Sequence, residues 1–395
     1  MFEQLSAVPG DPILQLIEMY RQDTNPQKID VGVGVFKNAE GETPVMRAVS
    51  IAEQQLHDTQ ATKAYVGIAG DADFNAAMRA LVFADSVDYA RVQALQTPGG
   101  SGALRVCAEM LYEVMPDSTV WMSDPTWGNH RPIFEAAGFT VKHYPYFDPA
   151  TRMVDEARML AALNELGQGD IVLLHGCCHN PTGSDLSFAA WDRVAEIASQ
   201  RGFLPFIDLA YQGFGDGLDA DLYGIRQLAK HVDDMIVTSS CSKNFGLYRD
   251  RVGCALVLAK NAAAATVVKG RLAIAARVSY SMPPDHGGAI VGMILNDATL
   301  REQWEDELTE MRNRILSLRQ QLADRMRDIT GTPKWDFIAR HRGMFSLLSL
   351  DKSQTDKLIH DYSIYIVNGG RINIAGLRDE AQINRFADAL AEVTK

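Results

Sequence analysis

The chain has 395 residues, 47% hydrophobic and 22% charged, and its 50 acidic against 38 basic side chains give a formal charge of -12. That balance argues against a nucleic-acid or membrane-surface binder, while leaving room for anionic small substrates held by a local arginine pair. No apolar stretch approaches the roughly 20 residues that span a bilayer, and five cysteines suit a reducing compartment better than a disulfide framework.

In chain order, Met1-Phe2-Glu3-Gln4-Leu5 lacks a basic n-region and a long apolar h-region, so a cytoplasmic location is expected. Asp11-Pro12 reads as an N-cap and first helical position, with Ile13, Leu14, Ile17 and Tyr20 on one apolar face. Residues 29–36 alternate as a short strand, in which Gly32 and Gly34 permit a bend or a close backbone approach. Gly41 and Pro44 mark a turn before a helix near 45–57.

The middle of the chain alternates apolar runs with helical patterns, the rhythm of βαβ units and a largely parallel sheet. Expected strands are 119–122, 140–143, 171–175, 204–207, 235–238 and 254–258, with amphipathic helices at 101–114 and 191–200. Further on, Leu300, Trp304, Leu308, Met311, Ile315, Leu318, Leu322 and Met326 recur every three or four residues, one apolar stripe on a long helix. At 1.5 Å per residue, about 27 residues reach roughly 40 Å, so this helix reads as a connector into a C-terminal domain. That domain has strands near 345–350, 364–367 and 371–374, then a final helix, Glu380–Val393.

Three segments carry chemistry. Thr97-Pro98-Gly99-Gly100-Ser101-Gly102 is a glycine-rich turn opening a helix, and backbone N–H groups there form an anion cradle. Its spacing is not the dinucleotide fingerprint, so a phosphate fits better than a nicotinamide. Leu204 to Leu209 places Asp208 at the mouth of an apolar strand, where a carboxylate is costly unless it meets a cation such as a protonated pyridine nitrogen. Tyr211, three residues on, could donate to a ring phenolate oxygen.

The third segment is Ser240-Cys241-Ser242-Lys243, with Arg251 eight positions beyond the lysine. A lysine in a tight, half-dry turn loses its proton near neutral pH and attacks carbonyls, while hydroxyls and Arg251 suit a phosphate. By itself this is an ordinary strand-end loop; beside Asp208 and the glycine turn it answers the needs of pyridoxal 5'-phosphate. His175-Gly176-Cys177-Cys178-His179 invites a metal reading, but adjacent cysteines are poorly spaced around one tetrahedral ion, and no metal is expected. Asn180-Pro181-Thr182-Gly183 reads as a strand-end turn facing a ligand.

In the order and approximate spacing of these motifs, joined by Asp-Leu-Ala-Tyr-Gln-Gly-Phe and Arg-Ile-Asn-Ile-Ala-Gly, the whole chain resembles a fold-type I, class I aminotransferase of the aspartate and aromatic amino-acid subgroup. The resemblance implies an α/β fold: a large domain (45–300) with a mostly parallel seven-stranded sheet flanked by helices. The small domain would combine segment 1–44 with the connecting helix and C-terminal part, 301–395, and close as a lid over substrate.

By the same resemblance, Lys243 would hold the cofactor as an imine and then shuttle a proton. Asp208, backed by His130, would pair with the ring nitrogen, Trp127 would stack on the ring, and Asn180 and Tyr211 would bond its phenolic oxygen. Gly100, Ser101, Ser240, Ser242 and Arg251 would hold the phosphate, with Tyr65 reaching in from a second subunit. Arg371, helped by Asn180, would grip the substrate α-carboxylate, and Gly34 would let backbone close over the substrate. Arg277 would come from the partner to bind a distal carboxylate. Sites shared in this way imply a two-fold homodimer acting on amino acids and 2-oxo acids.

Aspartate-dedicated relatives carry an Asn where Met282 follows Tyr280-Ser281. With Cys241 and Arg249, this favours dual aromatic and aspartate specificity over a dedicated aspartate enzyme; a thioether repacks readily around a ring. A lyase or decarboxylase of the same fold is disfavoured by the paired arginines, and a non-catalytic regulator by the lack of a basic arm.

Overall fold

A computed structural model describes residues 2–6, 10 and 12–395. Its central sheet has seven strands, in spatial order Val92–Pro98, Val252–Leu258, Met235–Ser240, Leu204–Leu209, Asp170–His175, Thr119–Asp124 and Thr140–Pro145. Within it Val252–Leu258 alone runs antiparallel to its neighbours. The central strands are buried along their length because helices cover both faces, which is why they read as unbroken apolar runs. Side chains alternate between two cores: Leu173, Phe206 and Ile236 join one, and Leu174, Ile207 and Val237 the other.

Six of these strands fall where periodicity predicts them. The edge strand Val92–Pro98 does not announce itself, because Gln93 and Gln96 interrupt its apolar pattern. Gln96 is nonetheless fully buried, its amide accepting from the Asp71 N–H (2.8 Å) and donating to the Pro284 carbonyl (2.7 Å). A buried amide so satisfied behaves like a core residue.

The N-terminal expectations need correction. Asp11 lies outside the described residues. On the helix Pro12–Gln22 the buried residue is Leu16, while Leu14 is 65% exposed. Of the strand expected over 29–36, only Ile29–Asp30 forms, pairing in parallel with Ile364–Tyr365. Beyond it the chain bends, and the Asn373 amide donates to the carbonyls of Val33 and Val35 at 2.7 Å each. Those bonds replace the ladder that a longer strand would have made.

The apolar stripe becomes a 33-residue helix, Ala298–Thr330. Trp304 stacks on Phe245 at 4.4 Å, and its indole N–H donates to the Asn244 carbonyl, bracing the turn just after Lys243. Two polar residues hide in the stripe, Glu307 and Arg319. Glu307 accepts from the N–H groups of Arg47 and Ala48 (2.7 and 3.0 Å), capping a helix whose own N-cap, Met46, offers no acceptor.

Near the end of the chain, Phe345–Leu347 pairs antiparallel with Arg371–Asn373, and the last helix spans Glu380–Val393 as expected. Among the described residues no helix is long and apolar enough to cross a membrane.

Candidate active site

The carboxyl ends of the parallel strands meet along one edge of the sheet. Register places His175 beside Asp208, Asp208 beside Thr238, Ser240 beside Gly253 and Gly253 beside Thr97. Ligand clefts of open α/β sheets form at such edges. Here a cavity of about 150 Å³ is lined by Gly100, Ser101, Trp127, Asn180, Asp208, Tyr211, Ser240, Ser242, Lys243 and Arg251, all expected from sequence. Leu104, His175, Cys177 and Ala210 complete the wall. A larger cavity, about 850 Å³, opens at the opposite edge beside Leu204, Met235 and Leu258. Its ionisable lining residues, among them His231, Asp233, Asp234 and Arg271, are exposed at the surface, so chemistry rather than volume selects the smaller one.

Lys243 sits in the turn after Met235–Ser240, with its carbonyl accepting from the Gly246 N–H and its ammonium 5.0 Å from the centre of the Tyr211 ring. Burial lowers its pKa to about 8; Arg251 adds to the effect and Asp208 opposes it. A large neutral fraction therefore exists at mildly alkaline pH, as an attacking amine requires.

Burial pushes the Asp208 carboxyl up. The hydrogen bond and charge of His130, together with the nearby Lys243, outweigh burial and hold it below the usual carboxylate range. Oδ2 meets His130 Nε2 at 3.0 Å, whereas Oδ1 has only a 3.4 Å contact with the Thr238 hydroxyl. One anionic oxygen is thus left lightly bonded, the acceptor a protonated pyridine nitrogen asks for. His130 lies behind the cavity, its Nδ1 bonded to the Thr126 hydroxyl (2.8 Å), which also reaches His175 Nε2 (3.1 Å). Burial drives the pKa of His175 down to about 3, leaving it neutral. Trp127 stands edge-on to His130, with ring centres 5.2 Å apart.

Across the cavity the helix Gly99–Val114 begins without a side-chain cap from Pro98. Its first-turn N–H groups, the Ser240 and Ser242 hydroxyls and the Arg251 guanidinium form an anion cradle. Gly99 has φ +73°, and a Cβ there would lie 2.4 Å from Arg251 Nη2, so the cradle closes only over glycine. Amine, carboxylate and anion cradle together fit a phosphorylated pyridine aldehyde.

Arg371 does not line this cavity but stands beside it. Its Nη2 donates to the Gly32 carbonyl (2.7 Å), its guanidinium lies 4.5 Å over the Phe345 ring, and its buried Nε has no hydrogen-bond partner. Burial lowers its pKa, and among the described residues no carboxylate pairs with it. An anionic ligand would complete such a group. Gly34 faces the same ring, where an added Cβ would come within 2.9 Å of Phe345 Cζ. Tyr65, 91% exposed, and Arg277, exposed on the last turn of Ala262–Ser279, line neither of these two cavities.

In the sequence His175 stands out only as a neighbour of the cysteine pair and Phe345 only as the start of a strand, and nothing marks Thr126. The cysteine pair meets Asp221 rather than the flanking histidines: their ligand atoms lie within 4.8 Å of one another, all buried. Asp221 already accepts from the N–H groups of Gly213, Gly215 and Asp216, which leaves it a poor metal ligand.

Residues 26–390 match the sequence profile described as aminotransferase class I and II. The aromatic-amino-acid aminotransferase of Pseudomonas aeruginosa is 46% identical over 395 residues, covering 99% of this chain and 98% of its own. The aspartate aminotransferase of Haemophilus influenzae is 43% identical over 396 residues and 100% of both chains. Among solved structures, the aromatic-amino-acid aminotransferase of Burkholderia pseudomallei, covalently bound to pyridoxal phosphate, superposes over 100% of both chains with TM-score 0.97 and 41% identity. With motifs, sheet edge and whole-length likeness in agreement, the chain belongs to the class I and II aminotransferases.

Proposed function

We propose that this protein is a pyridoxal 5'-phosphate-dependent aminotransferase that moves amino groups from aromatic amino acids and aspartate to 2-oxoglutarate by a ping-pong cycle. The observation that carries the reading is the convergence of Lys243, Asp208 and the Gly99–Arg251 anion cradle on one cavity. When bound, the cofactor supplies an aldehyde for the amino group and an electron sink for the Cα–H electrons.

The protein's own residues do the rest. Gly100, Ser101, Ser240, Ser242 and Arg251 hold the phosphate, and Asp208, backed by His130, keeps the ring nitrogen protonated. Trp127 packs on the ring, while Asn180 and Tyr211 donate to its phenolic oxygen. Lys243 would anchor the cofactor through its aldehyde, and its Nζ, when free, would take up the substrate Cα proton and give it back, base then acid on one face. Arg371 and Asn180 orient the α-carboxylate.

Tyr65 and Arg277 act in the neighbouring site of a homodimer. Their exposure supports this, as does the apolar surface beside them: Val66 is 46%, Ile274 50% and Val278 81% exposed. Segment 1–44 and residues 301–395 form the small domain that closes over Gly34 and excludes water. The contacts of Gly32, Val33 and Val35 with Arg371 and Asn373 favour such a joint movement. Five buried free cysteines favour a cytoplasmic location.

Likeness to an aspartate aminotransferase favours a second reading, a dedicated aspartate enzyme. Comparing kcat/KM for aspartate, tyrosine, phenylalanine and tryptophan with 2-oxoglutarate separates the two. Dual specificity requires an aromatic value within about tenfold of that for aspartate; aspartate alone being turned over would refute it.

A further inference from the structure

Arg319 is fully buried on the long helix Ala298–Thr330, and its hydrogen bonds go to uncharged groups, with the charge of Asp185 felt only at longer range. Burial lowers its pKa to about 9, so it still carries its charge at neutral pH. Its guanidinium is spent on one loop. Nε and Nη2 donate to the Gly343 carbonyl (3.2 and 2.7 Å), Nη1 to the Ile338 carbonyl (3.1 Å) and Ser346 Oγ (2.7 Å), and Nη2 also to the Phe345 carbonyl (2.6 Å). A buried cation is a costly way to fill space that an aliphatic side chain would fill freely.

The loop joins two parts of the site. On one side Arg342 N–H donates to the Gly183 carbonyl at 2.7 Å, seating the loop on the turn that holds Asn180. Gly183 has φ +73°, and a Cβ there would lie 2.0 Å from the Phe345 oxygen, so that carbonyl is trapped between Gly183 and Arg319. On the other side Phe345–Leu347 pairs with Arg371–Asn373, with Leu347 opposite Arg371. The Phe345 ring meets Tyr211 edge-on (5.9 Å, 84°) and lies under the Arg371 guanidinium.

We propose that Arg319 is a positioning residue for the substrate α-carboxylate, acting through Phe345 to fix the platform on which Arg371 lies. This rests on the aminotransferase reading and on the role of Arg371 within it. A lysine at 319 keeps a charge but lacks the fork that reaches several carbonyls at once. The loop then relaxes, the ring shifts, and Arg371 loses its aim. Every amino acid and 2-oxo acid bears the same α-carboxylate, so all substrates weaken together while the cofactor side is untouched.

The test compares Arg319→Lys, Phe345→Leu and the double variant as holoenzymes. KM and kcat are measured for tyrosine, aspartate and 2-oxoglutarate, beside cofactor affinity and thermal midpoint. Arg319→Lys is expected to raise each KM about tenfold, with kcat within about threefold and cofactor affinity within about twofold. The double variant should be no worse than Phe345→Leu alone, because both act on one platform. Unmoved KM values, a loss confined to one substrate, a fall in cofactor affinity of the same size, or multiplied effects in the double variant would overturn the proposal. Should Arg319→Lys fail to fold, Ser346→Ala, which removes one acceptor of the guanidinium, is read by the same criteria with an expected rise of about threefold. A wild-type protein that does not transaminate overturns the aminotransferase reading and this proposal with it; an active wild type with unmoved KM in the variants overturns this one alone.

Discussion

Around Lys243 the cleft is walled by the ends of long, fully buried strands, and every group expected to hold the cofactor's ring and phosphate within one chain lines the cavity or backs it directly. Around Arg371 the walls are two- and three-residue strands, a bent N-terminal segment and a loop held by a buried arginine, while Arg277 and Tyr65 face outward. Under the proposed function the contrast follows from what each side would do. A resident cofactor needs one rigid geometry, which a sheet edge supplies; a succession of substrates needs a surface that opens, closes and varies.

Variants on the two sides should therefore fail differently. The largest effect belongs to the cofactor side: Lys243→Ala should lower kcat on the order of 10⁴-fold or more while cofactor still binds in the cradle. Turnover retained in steady state would contradict its role. Next, Arg371→Leu should reduce kcat/KM on the order of 10²-fold for every substrate and leave cofactor affinity intact. A loss limited to dicarboxylates would instead assign Arg371 to the distal group. Smaller and more selective, Arg277→Ala should cost aspartate and glutamate about 30-fold in kcat/KM and phenylalanine less than about threefold. Equal losses for all three would remove it from the distal site.

The smallest effect is one of pH. Burial depresses the Lys243 pKa from its ordinary 10.5 to about 8, so the rate of cofactor uptake by apoprotein should climb about fivefold between pH 7 and 8, about twofold more by pH 9, and then level off. Between pH 8 and 10.5 the unfolded chain holds a proton that the folded one has lost, so apoprotein stability from this group rises with pH across that window and is flat below it. A rate still climbing steeply at pH 10 would show an unshifted lysine.

The cofactor side was also the more legible in sequence. Buried strands make apolar runs, and their ends carry the turns where Asp208, Ser240 and Gly99 stand out, so six strands and nine lining residues are readable directly, and Trp127 through the family resemblance. Val92–Pro98 was missed because Gln96 satisfies its amide through tertiary partners that no local pattern records. On the substrate side the signals are long-range. Residues 29–36 alternate like a strand, yet the carbonyls of Val31, Gly32, Val33 and Val35 accept from Arg371 and Asn373, some 340 positions away. Glu307 and Arg319 interrupt the stripe of the long helix, and only the fold reveals that one caps a helix and the other holds a loop.

Mixing the purified holoprotein with glutamate alone, with no 2-oxo acid added, tests the central claim most directly. An aminotransferase working through Lys243 should release one 2-oxoglutarate per chain and stop, then resume when an aromatic or four-carbon 2-oxo acid is supplied, and Lys243→Ala should release none. Continuous release of ammonia or carbon dioxide, or no 2-oxoglutarate at all, would contradict it.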